Sequence, residues 1–329
     1  MTRVFLLLFV CSTLLTPGPA GPERPDEAPR LIRDGDDRAA AEALRARIAT
    51  GRAEPRDHMH LARLLVQMGD LGAAERSLES YLGLVPRSAE GWLDLGLVRF
   101  AQRDFDQSAA ALERSLELDA RQTQAFKMLG RVQTARSKPA LAERAFAEAA
   151  RLNPEDAEAR YLLGRLYQSE DRLVEAARFL KEAVALDPGS ARAHAFLGTV
   201  SYALGETPFA EESFLRAVSL SRASKAPDAI PHLEYGIFLQ RTDRLEESVA
   251  ELRRAAQLDP SSIEARFELG QSLHRLRRPQ EAGKTLREAL ALDATDPRVH
   301  YLLGRVCYEQ GDRACGDEHM RLSERQRRR

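Results

Sequence analysis

The side chains best suited to chemistry are seven histidines, three cysteines and several paired carboxylates, but their spacing assembles no reaction site. The sequence is built from repeating units of similar pattern. Four histidines stand at the position that Trp92 occupies in its unit, and there we expect a packing role: His58, His194, His232 and His300. They lie one or more units apart, too far to bind one metal ion together. His60, His274 and His319 have no cysteine or further histidine at ligand spacing. The sequence therefore predicts no metal site.

Paired carboxylates, which could act as a general acid and base, fall on helix faces that we expect to be exposed. Glu211-Glu212 and Glu246-Glu247 are examples. No glycine-rich phosphate loop and no nucleophile elbow occurs in the chain. We therefore expect no catalytic residue, no cofactor and no enzymatic activity.

Cys307 and Cys315 lie on either side of a turn at Gly311. In an oxidising compartment a disulfide across this turn would stabilise the last part of the chain. Two free thiols are the alternative, because Cys307 also occupies a core position. The third cysteine, Cys11, lies near the N-terminus.

These residues are placed by a repeat of 34 residues, for which residues 157–190 serve as a template. Apolar residues at helical spacing predict two amphipathic helices per unit, joined by a short turn. Glycine marks the first helix at Gly96, Gly130, Gly164, Gly198, Gly270 and Gly304, with Gly236 after a four-residue insertion and Ala62 in the first unit. A small residue marks the second helix at Ala74, Ser108, Ala142, Ala176, Ala210, Ser248, Ala282 and Gly316. A large residue follows one turn later at Leu78, Leu112, Phe146, Leu180, Phe214, Leu252, Leu286 and Met320.

Small residues on both helices predict a close crossing, and the large residue fills the remaining gap. Neither helix can bury its apolar face alone, so each unit needs neighbours. The units begin at Pro55, Ala89, Thr123, Ala157, Ala191, Ala229, Ile263 and Pro297.

The period and its key residues resemble the tetratricopeptide repeat, whose pattern opens with Trp, Leu-Gly and closes with Pro. Trp92, Leu95 and Gly96 match the opening, and the closing proline stands at Pro86, Pro154, Pro188 and Pro260. The resemblance covers residues 55–329. It implies an all-α, right-handed α-solenoid of about eight helix-turn-helix units that binds other proteins through a concave groove.

The N-terminus predicts export. Arg3, the apolar run Val4 to Leu15 and the small residues Gly18-Pro19-Ala20 are typical of a secretory signal over residues 1–20. The run is too short to span a bilayer comfortably, so we expect no membrane span in the mature chain. Cys11 resembles a bacterial lipoprotein box only loosely, because bulky Phe9 and Val10 precede it, and we do not expect a lipid anchor there. The predicted location is periplasmic or secreted.

The rest of the chain divides by composition and repeat phase. Residues 21–36 form a proline-rich linker, and residues 37–54 form an N-terminal capping helix. Units one to five cover residues 55–224, residues 225–228 are an insertion, and units six to eight cover residues 229–329. The insertion is either a tolerated loop or a hinge.

The predicted partner-binding groove is lined by the first helices. In four repeats an arginine directly follows the central glycine or alanine, and neighbouring turns add a lysine and aromatic residues. The predicted groove residues are Arg63, Phe100, Lys127, Arg131, Tyr161, Arg165, Tyr202 and Arg305. Such a basic and aromatic row would suit an extended acidic peptide or polymer. The alternative is that the arginines are solvated and the tyrosines are ordinary repeat residues.

One family specificity is disfavoured. The carboxylate clamp that holds chaperone C-termini uses Lys, Asn, Asn, Lys and Arg, and here only Lys127 matches. Arg131, Leu162, Arg192 and Phe196 fill the other positions.

We expect a non-catalytic platform that binds a protein or peptide in a periplasmic or secretory assembly. The alternative is an accessory of polysaccharide or pilus export that contacts an anionic polymer through a basic face, to which the C-terminal arginines would contribute. A net charge of −1 does not favour nucleic acid as a partner.

Overall fold

A computed structural model describes residue 31 and residues 36–328. Within this part the chain forms 17 helices and no strand, which confirms the predicted all-α repeat class. None of these helices combines the length and the apolar character needed to cross a membrane. The predicted signal sequence, Cys11 and most of the predicted linker lie outside the described residues.

The helices fall into two compact units that divide between Leu162 and Leu163. The first unit contains α1 (Asp37–Ala49), α2 (Pro55–Gln67), α3 (Leu71–Leu84), α4 (Ala89–Ala101), α5 (Phe105–Leu118), α6 (Thr123–Ala135), α7 (Pro139–Leu152) and the start of α8 (Ala157–Ser169). The second contains the rest of α8, α9 (Leu173–Leu186), α10 (Ala191–Ala203), α11 (Thr207–Ala223), α12 (Ala229–Arg241), α13 (Leu245–Leu258), α14 (Ile263–Arg275), α15 (Pro279–Leu292), α16 (Pro297–Glu309) and α17 (Arg313–Arg327). The even-numbered helices from α2 to α16 begin where the sequence pattern starts its eight units, and we call them first helices.

The close crossing of paired helices depends on glycine. A Cβ added to Gly130 on α6 would lie 2.3 Å from the Phe146 ring on α7. The same addition at Gly198 on α10 would lie 2.9 Å from the Phe214 ring on α11. Contacts this short do not occur between real side chains, so the Phe146 and Phe214 rings each require a glycine opposite them.

The turn between the helices of each pair places one residue in the left-handed backbone region. The φ angle is positive at Gly69, Arg103, Ser137, Asp171, Gly205, Asp243, Arg277 and Gly311, one residue per pair. Only three of the eight are glycine, the residue that adopts this conformation without steric cost. The helical periodicity of the sequence did not predict this feature.

Helix α1 covers the first helix pair. Asp36 caps α1 by accepting a hydrogen bond from the backbone N–H of Ala39 at 3.0 Å. Leu44 on α1 is 1% exposed and belongs to the same apolar cluster as Leu61, Leu65 and Leu78 of α2 and α3. The helix ends at Ala49, and residues 51–54 lie outside it.

The second unit has an apolar cluster along α13 to α16, which includes the buried Leu252, Leu286 and Leu303. A smaller aromatic cluster joins α11 and α12, where the ring centroids of Phe214 and Phe238 lie 5.0 Å apart. Burial of these side chains supplies most of the driving force for stacking successive pairs.

The helix before the insertion is longer than its equivalents, and the insertion at residues 225–228 lies in a short loop. Helix α11 has 17 residues, compared with 14 in α13 and α15. Near the end of α11, Ser221 Oγ donates to the carbonyl of Asp228 at 2.9 Å, and the Asp228 backbone N–H donates to Ser221 Oγ at 3.0 Å. These bonds tie the two ends of the insertion together.

Candidate partner-binding face

In the first compact unit, Arg63 on α2 forms hydrogen bonds to α4, the first helix of the next pair. Its Nε donates to Asp94 on α4 at 2.9 Å, and its guanidinium also pairs with Glu90. Burial raises the pKa of Asp94 above its ordinary value, although Arg63 opposes that shift. The predicted groove arginine therefore joins two successive helix pairs and neutralises two carboxylates.

Lys127 on α6 is the most enclosed of the predicted cations, with 8% of its surface exposed. Its Nζ lies 2.6 Å from Glu158 and 3.0 Å from Asp156. Burial alone would lower the pKa of Lys127, but the two carboxylates outweigh it and raise that pKa. Arg131 pairs with the same Glu158 at 2.6 Å. The predicted row of cations and aromatic residues thus also carries acidic residues, because carboxylates of the next repeat reach Lys127 and Arg131.

The aromatic residues of the first unit lie on the same row but are partly enclosed. Phe100 on α4 is half-buried, and its ring centroid lies 5.6 Å from that of Phe105. Tyr161, near the start of α8, is also half-buried. Part of each ring is accessible to a partner, and the rest is packed against the protein.

In the second compact unit, two of the three predicted residues make aromatic contacts. The guanidinium of Arg165 on α8 lies 3.9 Å above the Phe196 ring on α10. Tyr202 on α10 meets Phe238 edge to face, with centroids 5.2 Å apart. Arg305 on α16 is exposed. The contacts of Arg165 and Tyr202 restrict these two side chains, so they would lose less side-chain entropy on binding a partner.

Two carboxylates on this face were missed from the sequence. Glu234 on α12 accepts a hydrogen bond from Thr199 Oγ1 at 2.8 Å, and Glu268 lies at the same position on α14. Burial raises the pKa of both carboxyl groups. Neither forms an ion pair within the described part of the chain. Together with Asp94 they stand two residues before a central glycine, a periodic signal that could have identified them.

Among the described residues, no group of three or more histidine, cysteine, aspartate or glutamate side chains could hold a metal ion. Cys307 and Cys315 are joined in a disulfide, with Cα atoms 5.8 Å apart. The disulfide connects α16 to α17 across the turn at Gly311.

Models of the tetratricopeptide repeat match residues 59–124, 127–191 and 239–306. The chain belongs to the tetratricopeptide repeat family. Proteins of this family are generally non-catalytic, and their repeats suggest a scaffold for protein–protein interaction.

Several solved tetratricopeptide repeat structures are similar in fold. The APC/C hetero-tetramer Cut9-Hcn1 is 16% identical over 85% of this chain and 54% of that chain, with a TM-score of 0.64. Tom70 of yeast is 17% identical over 89% of this chain and 60% of that one, with a TM-score of 0.63. A tetratricopeptide repeat protein of Parabacteroides merdae is 16% identical over 77% and 98% of the two chains, also with a TM-score of 0.63.

At these identities the likeness shows the fold alone. The chain also spans little more than half the length of Cut9 and Tom70. A comparison with curated protein sequences finds no match.

Proposed function

We propose that this tetratricopeptide repeat protein is a non-catalytic platform that binds another polypeptide on the faces formed by its first helices. The observation that carries the proposal is the recurrence of charged and aromatic side chains at equivalent positions on several first helices, most of them in contact with a neighbouring helix. A face that repeats at regular steps matches an extended chain, to which each repeat adds a few contacts.

The partner's chemistry is suggested by the charges that the face already neutralises. In the first compact unit, Asp94 and Glu158 already pair with the cations. An acidic ligand would have to displace these two carboxylates. In the second compact unit, Glu234 and Glu268 form no ion pair with any described residue, and Arg241 offsets only part of the effect of burial on their pKa. We infer that the partner segment carries basic as well as acidic side chains.

This charge pattern also weighs against the alternative of an anionic polymer. Arg63, Lys127 and Arg131 each bond to a carboxylate, so they leave little net positive charge for a polysaccharide. The chaperone-tail clamp is disfavoured for the same reason, because its one matching residue, Lys127, is bonded within the chain.

The proposed site of action is a periplasmic or secretory assembly. The signal-like residues 1–20 support export, and a disulfide is typical of oxidising compartments. N-terminal sequencing of the mature protein tests this: we expect a chain that begins near residue 21. A mature cytosolic chain that starts at Met1 would contradict it.

Site-specific photo-crosslinking in the native compartment tests the binding face. A photoreactive phenylalanine is placed at Tyr161 or Tyr202 on first helices, and at Phe209 on α11 as a matched control, since Phe209 is aromatic and 39% exposed. We expect both first-helix positions to capture the same polypeptide and the control to capture none. Equal capture from Phe209, or capture of a glycan, would overturn the proposal.

A further inference from the structure

Two histidines of the last helix pair meet end to end. The Nδ1 atoms of His300 on α16 and His319 on α17 lie 3.0 Å apart, and the ring centroids lie 5.2 Å apart. Each nitrogen lies one ring radius from its own centroid. The centroid separation exceeds the nitrogen separation by about two such radii, so the two nitrogens lie between the rings and point at each other. This is the geometry of a single N–H···N hydrogen bond.

The backbone determines which nitrogen of His300 carries a proton. Its Nε2 lies 3.0 Å from the carbonyl oxygen of Ala294, which can only accept, so Nε2 bears the hydrogen. A neutral His300 then has a bare Nδ1, and the Nδ1–H of His319 donates to it. A single added proton leaves this bond intact, because the cationic ring, whichever it is, donates its Nδ1–H to the bare Nδ1 of the neutral ring. Once both rings are cations, two N–H groups face each other and the contact is repulsive.

The same register of another pair provides an internal comparison. His232 on α12 corresponds to His300, and the residue that its Nδ1 meets, Glu251 on α13, corresponds to His319. The Nδ1–carboxylate distance there is 2.6 Å. A carboxylate accepts from a neutral and from a cationic imidazole alike, so added protons do not break that contact.

The charged groups around His319 reinforce the difference. Burial lowers the pKa of His319, and His300 and Arg287 on α15 lower it further, while Glu318 on α17 acts in the opposite direction. Since the folded chain holds this proton less well than the unfolded chain, docking of α17 becomes less favourable as the pH falls below about 6.5.

Other contacts determine which part of α17 would move. The disulfide from Cys307 to Cys315 fixes the start of the helix. Beyond His319, Ser323 Oγ donates to the carbonyl of Pro297 at 2.8 Å. We propose that the His300–His319 contact is a proton-sensitive latch, which holds the C-terminal part of α17 against α16 near neutral pH and releases it in mild acid while the disulfide retains the start of the helix. The latch goes beyond partner binding and does not depend on it.

Hydrogen exchange on the full chain with its disulfide intact tests the latch. Protection factors, corrected for intrinsic pH dependence, are compared between about pH 7.5 and about pH 5.5. We expect the amides of residues 319–327 to lose protection severalfold, because the folded chain binds the His319 proton less tightly than the unfolded chain does. Amides of α13, next to Glu251, should keep theirs.

The matched variant is His319→Gln, whose amide N–H₂ can still donate to His300 but cannot titrate. It should remove the pH dependence and leave protection near neutral pH unchanged. As a second measurement, imidazole ¹⁵N shifts should show His300 Nδ1 unprotonated at neutral pH. Equal protection of residues 319–327 at both pH values in the wild-type chain would overturn the proposal, as would a His300 Nδ1 that is already protonated near neutral pH.

Discussion

At the residue scale, the fold depends on where glycine stands opposite a large side chain. Gly130 and Gly83 show the contrast, because both lie on helices but only Gly130 faces a packed ring. A Cβ at Gly130 would meet Phe146 at 2.3 Å, whereas a Cβ at Gly83 would meet no atom within 4 Å. The two positions therefore respond oppositely to the same substitution.

We predict that Gly130→Ala destabilises the protein by about 1–3 kcal/mol, because the added methyl group forces Phe146 and the helix crossing apart. Gly83→Ala should stabilise it by roughly 0.5–1 kcal/mol, since alanine reduces the backbone freedom of the unfolded chain. Urea denaturation followed by circular dichroism measures both changes. Equal effects of the two substitutions would show that the crossing is not tightly packed.

A second prediction concerns Glu234, a half-buried carboxylate that forms no ion pair with any described residue. Its pKa is raised by burial, so the folded chain binds this proton more tightly and loses stability as the pH rises through the folded pKa. Glu234→Gln should therefore stabilise the protein by roughly 1 kcal/mol at neutral pH, while keeping an acceptor for Thr199. The gain should vanish below the ordinary glutamate pKa of about 4.3.

Glu158→Gln is the matched control for that substitution, because it removes a carboxylate that is paired with Lys127 and Arg131. It should destabilise the protein at neutral pH. Denaturation midpoints of both variants across the pH range provide the comparison. A loss of stability in Glu234→Gln would mean that its charge is compensated.

At the scale of single elements, the turns of the helix pairs carry strain that sequence periodicity does not reveal. Arg277 has a φ of 58° and Gly205 a φ of 84° at equivalent positions of their pairs. An L-residue in this region costs about 1 kcal/mol or more relative to glycine.

Arg277→Gly should accordingly stabilise the protein by about 1 kcal/mol, and Gly205→Ala should destabilise it by a similar amount. Both sites are exposed, so packing changes do not obscure the result. Thermal or urea denaturation tests the pair of variants. The two substitutions should change the free energy of unfolding in opposite directions, and a change in the same direction would contradict the prediction.

The element scale also shows what the sequence could predict. The starts of the first helices and the glycine crossings follow from local spacing, because helix periodicity and residue size act within one pair. The ion pair between Lys127 and Glu158 does not, since its partners lie 31 residues apart on successive first helices. The basic row was visible as a pattern, but its neutralisation depends on side-chain directions that only packing determines. The disulfide was an open alternative for the same reason.

At the scale of the whole molecule, each helix pair is expected to gain its stability from its neighbours. Helix α1 supplies this cover for α2 and α3 through Leu44. Removal of residues 37–49 should expose Leu61 and Leu65. Hydrogen exchange of the shortened chain should then show loss of protection in α2 and α3 and unchanged protection in α14 to α16. Uniform loss along the chain would indicate one cooperative core in place of a repeat array.

The most direct test of the binding proposal is the footprint of the captured polypeptide on the intact chain. Hydrogen exchange is measured on the purified protein with and without that polypeptide. The account predicts added protection in first helices such as α4, α6, α10 and α12, with little change in second helices such as α5, α7, α11 and α13. Protection confined to the second helices would contradict the proposed binding face.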